Sequence, residues 1–431
     1  MSMEELARGV NEASTKLAAA DTELKNKALA RIAESLNERK AEIIAANQMD
    51  LKRSEQEKVA APLLKRLKFD EGKIADVVDG IYSLIKLEDP VGQTMLSTEL
   101  DDNLELYKIT CPIGVIGVIF ESRPDALVQI STLCLKSGNG VLLKGGSEAM
   151  ETNRILSDVI IHAAREAGIP SNWAALLETR SEVSDMLKMD DFIDLLIPRG
   201  SNEFVRYIMD NSRIPVLGHA DGICHCYVDK DADLDMAVKL VVDSKTQYVA
   251  VCNAAETLLV HEGIAPNYLP VVKKSLDGKN VELVGCAKTR EIIPVGQATE
   301  EDWKTEYLDY KLSIKVVSEL DEAVDHINTY GSGHTDSIIT GNKENAAYFM
   351  NYVDSGNVFW NCSTRFSDGF RYGFGAEVGI STNKIHSRGP VGLDGLVIYK
   401  YKLIGNGQLV EDYASRSRTF THKKLNKDFS I

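Results

Sequence analysis

The chain predicts an α/β fold of parallel sheets covered by helices on both faces. Three features carry this expectation. From residue 113 onward, short apolar runs alternate with stretches of helical periodicity. The runs are apolar at successive positions, as strands buried between two helical layers require. Ahead of them, 95–109 alternates loosely around Asp101-Asp-Asn103, which is a hairpin pattern with its turn.

Taken in order, roughly the first ninety residues read as helices. Leu29, Ile32, Ala33 and Leu36 share one helical face, and so do Ile74, Val77, Val78, Ile81, Leu84 and Ile85. Core packing accounts for both stripes. After the hairpin come strand-like runs at 113–120, 141–144, 174–177 and 193–197, with helical segments at 126–137, 148–168 and 181–189 between and after them. Gly168 before Pro170 stops the second of these helices. In such a sheet ligands bind beyond the carboxyl ends of the strands. A second α/β unit follows. Its helix carries Leu234, Ala237, Val238, Val241 and Val242, and its strands are expected at 256–260, 312–317 and 337–340. A long strand at 396–404 would leave a free edge unless it pairs with the 95–109 hairpin or with a second subunit. The basic end, with Arg416, Arg418, Lys423 and Lys424, reads as a solvated tail.

The bulk numbers narrow the function. The 431 residues suffice for two or three domains, and 44% hydrophobic with 26% charged is an ordinary globular composition. A net charge of −15 argues against nucleic acid or an anionic membrane as the partner. No apolar stretch approaches a membrane span, and the N-terminus lacks the basic and apolar parts of a secretory signal. Seven cysteines, widely spread, fit a reduced cytoplasmic protein better than a disulfide scaffold. His219 and His225, with Cys224 and Cys226, invite a zinc reading. The spacing matches no standard zinc motif, and half-buried strand residues explain Cys224-His-Cys226 better, so no metal is expected.

The chemistry-bearing segments sit at the ends of runs. Lys144-Gly-Gly-Ser147 closes a buried strand ahead of a helix; glycine lets backbone approach a ligand, and a helix N-terminus favours an anion. An ordinary strand-to-helix turn explains it equally well. Pro198-Arg-Gly-Ser201 repeats the arrangement, and the pair points to a phosphate-bearing cofactor. No Gly-x-Gly-x-x-Gly fingerprint follows the first parallel strand. In Glu121-Ser-Arg-Pro124, Pro124 restricts Arg123 to an extended backbone. Cys252, in Val251-Cys-Asn-Ala-Ala-Glu256, sits where a connector enters a buried strand and can hold a nucleophile rigidly. Most free cysteines are inert core residues, so Cys252 gains its case only from its surroundings. Asn361 to Gly369 is dense in small and polar residues, as a substrate loop or a set of tight turns would be.

Five segments together resemble the aldehyde dehydrogenase superfamily, in its branch that reduces glutamyl phosphate. They are 112–124, 143–149, 197–201, 252–256 and 361–369, joined by Tyr372-Gly-Phe-Gly-Ala-Glu-Val-Gly-Ile-Ser-Thr382 and His386-Ser-Arg-Gly-Pro-Val-Gly392. The resemblance implies an aldehyde dehydrogenase-like fold of two Rossmann-like α/β domains with parallel sheets plus a β-hairpin/strand oligomerisation flap. It assigns 1–94 and 110–222 to cofactor binding, 223–392 to catalysis, and 95–109 with 393–410 to the flap. Cys252 matches the family nucleophile, and Ser122 stands where the family has its oxyanion asparagine. Lys144 matches the lysine on the adenosine ribose, and Glu306 the glutamate on the nicotinamide ribose. Gly146, Ser147, Gly200 and Ser201 complete the expected cofactor set. Arg123 and Arg365 are the expected phosphate partners, and Asn361, Ser363 and Asp368 are expected to hold the rest of the substrate.

Two departures from the family carry information. Hydrolytic members have a general-base glutamate where this chain reads Pro215-Val-Leu-Gly-His-Ala-Asp-Gly222, so a thioester here would await hydride rather than water. Ser147 replaces a glutamate that repels a 2′-phosphate, which favours NADPH over NADH. The implied reaction is reduction of L-glutamyl 5-phosphate to L-glutamate 5-semialdehyde in proline biosynthesis. A homodimer or higher homo-oligomer is implied, with glutamate 5-kinase as a possible partner. An acylating or hydrolytic aldehyde dehydrogenase and a non-catalytic nucleotide-binding subunit are the rival readings.

Overall fold

The computed structural model describes residues 2–59, 61–178 and 181–430. Five helices open the chain: α1 (Met3–Leu17), α2 (Thr22–Glu38), α3 (Lys40–Gln56), α4 (Ala61–Leu67) and α5 (Glu71–Lys86). The hairpin β1 (Thr94–Asp101) and β2 (Leu104–Pro112) follows. Then come β3 (Val115–Phe120), α6 (Pro124–Lys136), β4 (Gly140–Gly145), α7 (Met150–Ala167), β5 (Ala174–Leu177), α8 (Ser181–Met186), β6 (Leu195–Arg199) and α9 (Asn202–Asn211). The later part runs β7 (Cys224–Val228), α10 (Leu234–Thr246), β8 (Ala255–His261), α11 (Ala265–Asp277), β9 (Glu282–Gly285), α12 (Ala287–Ile292), β10 (Gly296–Gln297), β11 (Lys311–Val317), α13 (Leu320–Tyr330), β12 (Thr335–Ile339), α14 (Lys343–Tyr352) and β13 (Asn357–Trp360). Two short strands, β14 (Gly379–Ser381) and β15 (Gly389–Val391), precede β16 (Val397–Ile404), α15 (Val410–Ala414) and β17 (Lys423–Lys424).

The chain divides into two compact units. The first comprises Met1–Gly200, Tyr207–Leu217 and Val391–Ile431, and the second Ser201–Arg206 and Gly218–Pro390.

In the first unit four parallel strands lie in the order β5-β4-β3-β6. Every residue of β3 and β4 is buried, which is why these segments show no polar alternation. The helical stripe of α5 packs inward through Ile74, Val77, Val78, Ile81 and Leu84. Helix α7 ends at Gly168, whose φ of 111° and N–H bonds to Ala164 and Arg165 make the C-cap that only glycine adopts without strain. A separate antiparallel sheet in this unit has the order β16-β2-β1-β17. The late strand pairs with β2 from Val397 opposite Pro112 to Ile404 opposite Glu105. The basic end is not a free solvated tail. Lys423 and Lys424 pair with Glu99 and Thr98 of β1, Lys427 bonds Glu105 at 2.8 Å, and the Phe429 ring meets Tyr107 edge-on at 5.4 Å. A strand edge with unmet N–H and C=O groups recruits the tail, a long-range pairing with no local pattern.

The second unit holds seven parallel strands in the order β10-β9-β11-β8-β7-β12-β13. Alternate residues feed two cores. Cys226, Val228, Leu258 and Val260 face one cluster with Ala237, Val241 and Leu269, whereas Tyr227 and Leu259 face another with Ala323, Ile327 and Phe349. Burying one such leucine stabilises the fold by about 1.5–3 kcal/mol. The Cys224-His-Cys226 segment is therefore fully buried rather than half-buried, because β7 is a central strand covered on both faces. His225 completes no metal cluster with His219; its Nδ1 lies 2.8 Å from Asp336 Oδ1, and both residues are fully buried.

Candidate active site

In the first unit the chemistry-bearing residues gather where the parallel strands end at their carboxyl side. Lys144, one residue before the end of β4, is 6% exposed and its ammonium bonds the Gly145 carbonyl. Gly145, Gly146, Ser147, Met150 and Glu178 line a crevice there. The chain turns through a short 3-10 segment at Ser147–Ala149 before α7 begins at Met150, two residues later than its expected start at 148. A Cβ on Gly146 would lie 2.1 Å from Glu148 Oε1, so a side chain there would push that carboxylate aside. That carboxylate accepts from Ser122 N at 2.6 Å and Ser122 Oγ at 2.7 Å, and it pins Ser122 at a φ of 48°. The single Ser122 hydroxyl proton thus goes to Glu148 rather than to an oxyanion. Arg123, ahead of Pro124, has φ −137° and ψ 79°, outside the helical region but short of the extended backbone expected, and its guanidinium pairs with Asp125 at 3.0 Å. Gly200 is exposed at the end of β6; Ser201, also exposed, belongs to the second unit, where its carbonyl accepts the Val205 N–H at the start of α9.

One residue here escaped the sequence reading. Arg53 of α3 is held by Asp50 at 2.6 Å and donates to the carbonyls of Ser147 at 2.9 Å and Glu148 at 3.3 Å. Residues 53 and 147 are far apart in the chain, so no local pattern announced the pairing.

In the second unit the candidate residues lie at the opposite ends of their strands. Cys252 precedes β8, Gly222 and His219 precede β7, His334 precedes β12, and Glu306 precedes β11. Since β11, β8, β7 and β12 are consecutive parallel neighbours, their amino ends form one continuous edge. Gly222 touches the nucleophile segment directly. A Cβ on it would meet Cys252 O at 2.2 Å, Cα at 2.4 Å and Cβ at 2.5 Å. The Glu306 carboxylate accepts from Gly222 N–H and from Asn202 Nδ2 at 2.6 Å. Burial pushes the Glu306 carboxyl above its ordinary value, and those two donors oppose the shift.

Cys252 itself is half-buried, and Cys224 donates its thiol to the Cys252 carbonyl at 3.1 Å. Burial drives the Cys224 thiol far above its ordinary range, so Cys224 stays protonated as a donor. His219, Cys252 and His334 bring a ring nitrogen or sulfur each to within 4.8 Å of one another. The two imidazoles meet edge to face at 4.9 Å. His219 Nδ1 lies 2.8 Å from the Ile380 carbonyl, which can only accept, so the proton sits on Nδ1 and the lone pair on Nε2. His334 is fully buried; burial and the neighbouring His219 hold it neutral.

The loop 361–369 carries three polar anchors and the cation Arg365. Asn361 sits at a φ of 54° with both amide atoms on the Thr340 backbone, at 2.9 and 3.0 Å. Ser363 is 2% exposed and bonds Ser244 Oγ at 3.1 Å and Arg365 N at 3.3 Å. Asp368 caps the following turn through the N–H groups of Phe370 and Arg371. These three, expected on the substrate, also anchor the loop. Thr364 Oγ1 reaches the Asn253 carbonyl at 2.7 Å, and Asn253 Nδ2 reaches Ser367 O at 2.7 Å, so the loop is tied beside the nucleophile. Arg365, 8% exposed, is oriented by Gln247 Oε1 at 2.9 Å. Burial, then the nearby Arg371 charge, lower its proton affinity, and the charge of Cys252 acts in the opposite sense. Arg371, which the sequence reading passed over, bonds the Arg365 carbonyl and adds a second positive charge.

Comparison with known proteins follows the same outline. The model of the aldehyde dehydrogenase family matches residues 3–283. The gamma-glutamyl phosphate reductase of Acetivibrio thermocellus is 75% identical over 431 residues, covering 100% of both chains. That of Pelotomaculum thermopropionicum is 74% identical over 100% of this chain and 99% of its own. The crystal structure of gamma-glutamyl phosphate reductase from Thermotoga maritima superposes with a TM-score of 0.93 at 43% identity, covering 95% of this chain and 100% of that one.

Proposed function

Because the chain belongs to the aldehyde dehydrogenase family, and within it to the gamma-glutamyl phosphate reductases, we propose that it reduces L-glutamyl 5-phosphate to L-glutamate 5-semialdehyde with NADPH, through a thioester on Cys252, in the second step of proline synthesis from glutamate. The observation that carries the covalent route is the setting of Cys252. It is a half-buried thiol at the amino end of a central strand, backed by Gly222, with Arg365 and Arg371 nearby and no glutamate in the 215–222 stretch where hydrolytic relatives carry one.

The Cys252 thiolate attacks the acyl carbonyl, the C–S bond forms, and the C–O bond to phosphate breaks. Arg365 is the partner for the departing phosphate; Arg123, already paired with Asp125, is the weaker one. The Cys252 backbone N–H is the oxyanion donor, since the Ser122 hydroxyl is committed to Glu148. With no glutamate base in the 215–222 stretch to activate water, the thioester is reserved for hydride. NADPH, when bound, supplies that hydride, and loss of the aldehyde returns Cys252 as thiolate.

The residues present suit the cofactor. Gly145, Gly146 and Ser147 leave a crevice open at the end of β4, where α7 begins. Lys144 is the ribose partner there, Gly200 and Ser201 flank the second strand-end turn, and Glu306 is the nicotinamide-ribose partner. Arg53 beside Ser147 offers a guanidinium to a 2′-phosphate, which favours NADPH over NADH.

The unpaired outer edge of β16, with Tyr399, Tyr401 and Leu403 at 49%, 60% and 57% exposure, supports homo-oligomerisation through this sheet. Seven free cysteines suit a reducing, cytoplasmic compartment, and no helix among the described residues is long and apolar enough to cross a membrane. A glutamate 5-kinase is the partner that would supply the labile acyl phosphate.

The test compares phosphate-dependent, coenzyme A-dependent and water-dependent oxidation of glutamate 5-semialdehyde with NADP. Phosphate dependence is expected. Equal rates without phosphate would favour the hydrolytic reading.

A further inference from the structure

We propose that His219, Cys252 and His334 form a binding site for a thiophilic divalent cation of the zinc class, and that occupancy withholds the Cys252 thiol from acyl transfer. The inference goes beyond the proposed reaction, and only its effect on rate rests on Cys252 being the nucleophile.

The donors converge for a topological reason. They precede β7, β8 and β12, which lie side by side in one parallel sheet, so the amino edge of that sheet brings them together. Their ligating atoms lie within 4.8 Å of one another. A tetrahedral zinc ion with bonds of about 2.0–2.3 Å sets its donors roughly 3.5 Å apart, so side-chain rotation of about an ångström closes the set. The donor chemistry is two imidazoles and one thiolate with no carboxylate, which selects zinc-like ions over magnesium or calcium.

Two further observations point to a ligand. His334 is 0% exposed, yet its Nε2 has no hydrogen-bond partner among the described residues, while its Nδ1 lies 2.8 Å from Thr335 Oγ1. A buried lone nitrogen of this kind is destabilising unless something meets it. His219 has its Nδ1–H on the Ile380 carbonyl, the outer contact that metal-ligating histidines characteristically make. Cys252 and His219 are both half-buried, which gives the ion a way in, and three protein donors leave the fourth position to water. Binding replaces the S–H bond by a sulfur–metal bond and releases one proton to solvent. No electron is transferred, so a chelator reverses it.

The test uses the full-length enzyme stripped with a chelator. Cobalt(II) added in its place should give the visible spectrum of a tetrahedral site with a thiolate charge-transfer band. One equivalent of zinc should release about one proton, protect Cys252 from iodoacetamide as read by mass spectrometry, and inhibit turnover until chelator is added. His219→Gln and His334→Gln should each weaken zinc affinity at least tenfold; using both guards against one buried substitution failing to fold. Unchanged affinity in both folded variants would mean that the thiol alone binds the ion, and would overturn the site. No binding by an enzyme that Cys252→Ala inactivates would overturn the site and leave the nucleophile reading intact. Tight binding with undiminished turnover would overturn the inhibitory role and the nucleophile reading together.

Discussion

The two parallel sheets present their candidate residues at opposite strand ends. In the first unit Ser122, Lys144, Gly146, Ser147 and Gly200 follow the carboxyl ends of β3, β4 and β6 or close them. In the second, His219, Gly222, Cys252, Glu306 and His334 all precede strands. The difference is electrostatic. Beyond a carboxyl end the next helix presents its N-terminus, where unpaired N–H groups attract phosphate without any side-chain charge. Before an amino end the preceding helix presents its C-terminus, which repels anions. Helix α10 ends at Thr246, six residues before Cys252, and its C-cap Gln247 holds Arg365. The thiolate and acyl phosphate proposed for that end would need cations from elsewhere in the chain, and Arg365 with Arg371 is the proposed source.

Five substitutions would break or sharpen this contrast, beginning with the largest effect. Cys252→Ala should lower acyl phosphate reduction by about four orders of magnitude, while NADPH binding, read by fluorescence, stays intact. A loss of only a few-fold would remove covalent catalysis. Gly222→Ala adds a methyl that would sit 2.2 Å from the Cys252 carbonyl oxygen. A nucleophile displaced by about 1 Å costs roughly 10²-fold in kcat, with KM for NADPH little changed.

Arg365→Ala and Asn361→Ala form a pair, since one residue is the proposed phosphate partner and the other an anchor of the loop. Arg365→Ala should cost about 2–3 kcal/mol of transition-state binding, roughly 30- to 150-fold in kcat/KM for the acyl phosphate. Asn361→Ala should cost about 1–3 kcal/mol of stability in denaturant titration, with little change in substrate KM. The reverse pattern would put the substrate on the loop amides. Smallest is Arg53→Ala, expected to lower kcat/KM with NADPH about tenfold and to leave NADH use nearly unchanged. Equal losses with both cofactors would make Arg53 a brace for the 147–149 turn and nothing more.

Legibility followed the range of the interactions. The buried strands β3, β4 and β5, the stripe of α5 and the Gly168 cap were readable because each depends on residues a few positions apart. The pairing of β16 with β2 was readable as an unmet edge. The docking of the C-terminal end on β1 was not, since Lys423 and Lys424 look like any solvated basic pair until a strand edge is placed beside them. Polar loop residues are ambiguous for a related reason. Asn361, Ser363 and Asp368 have the composition of a binding loop, but a loop must first satisfy its own backbone, and those three do so.

The sequence alone determined the α/β architecture and the strand-end turn at Lys144 to Ser147, because periodicity and turn chemistry are local and act before any long-range contact, and it singled out Cys252 as the candidate nucleophile. Only the tertiary structure decided which residues surround Cys252. His219 and His334 are over a hundred residues apart, and each is unremarkable in its own segment. They meet because β7, β8 and β12 are neighbours in one parallel sheet, and parallel order is set by crossover connections and burial on both faces rather than by any pattern within a strand.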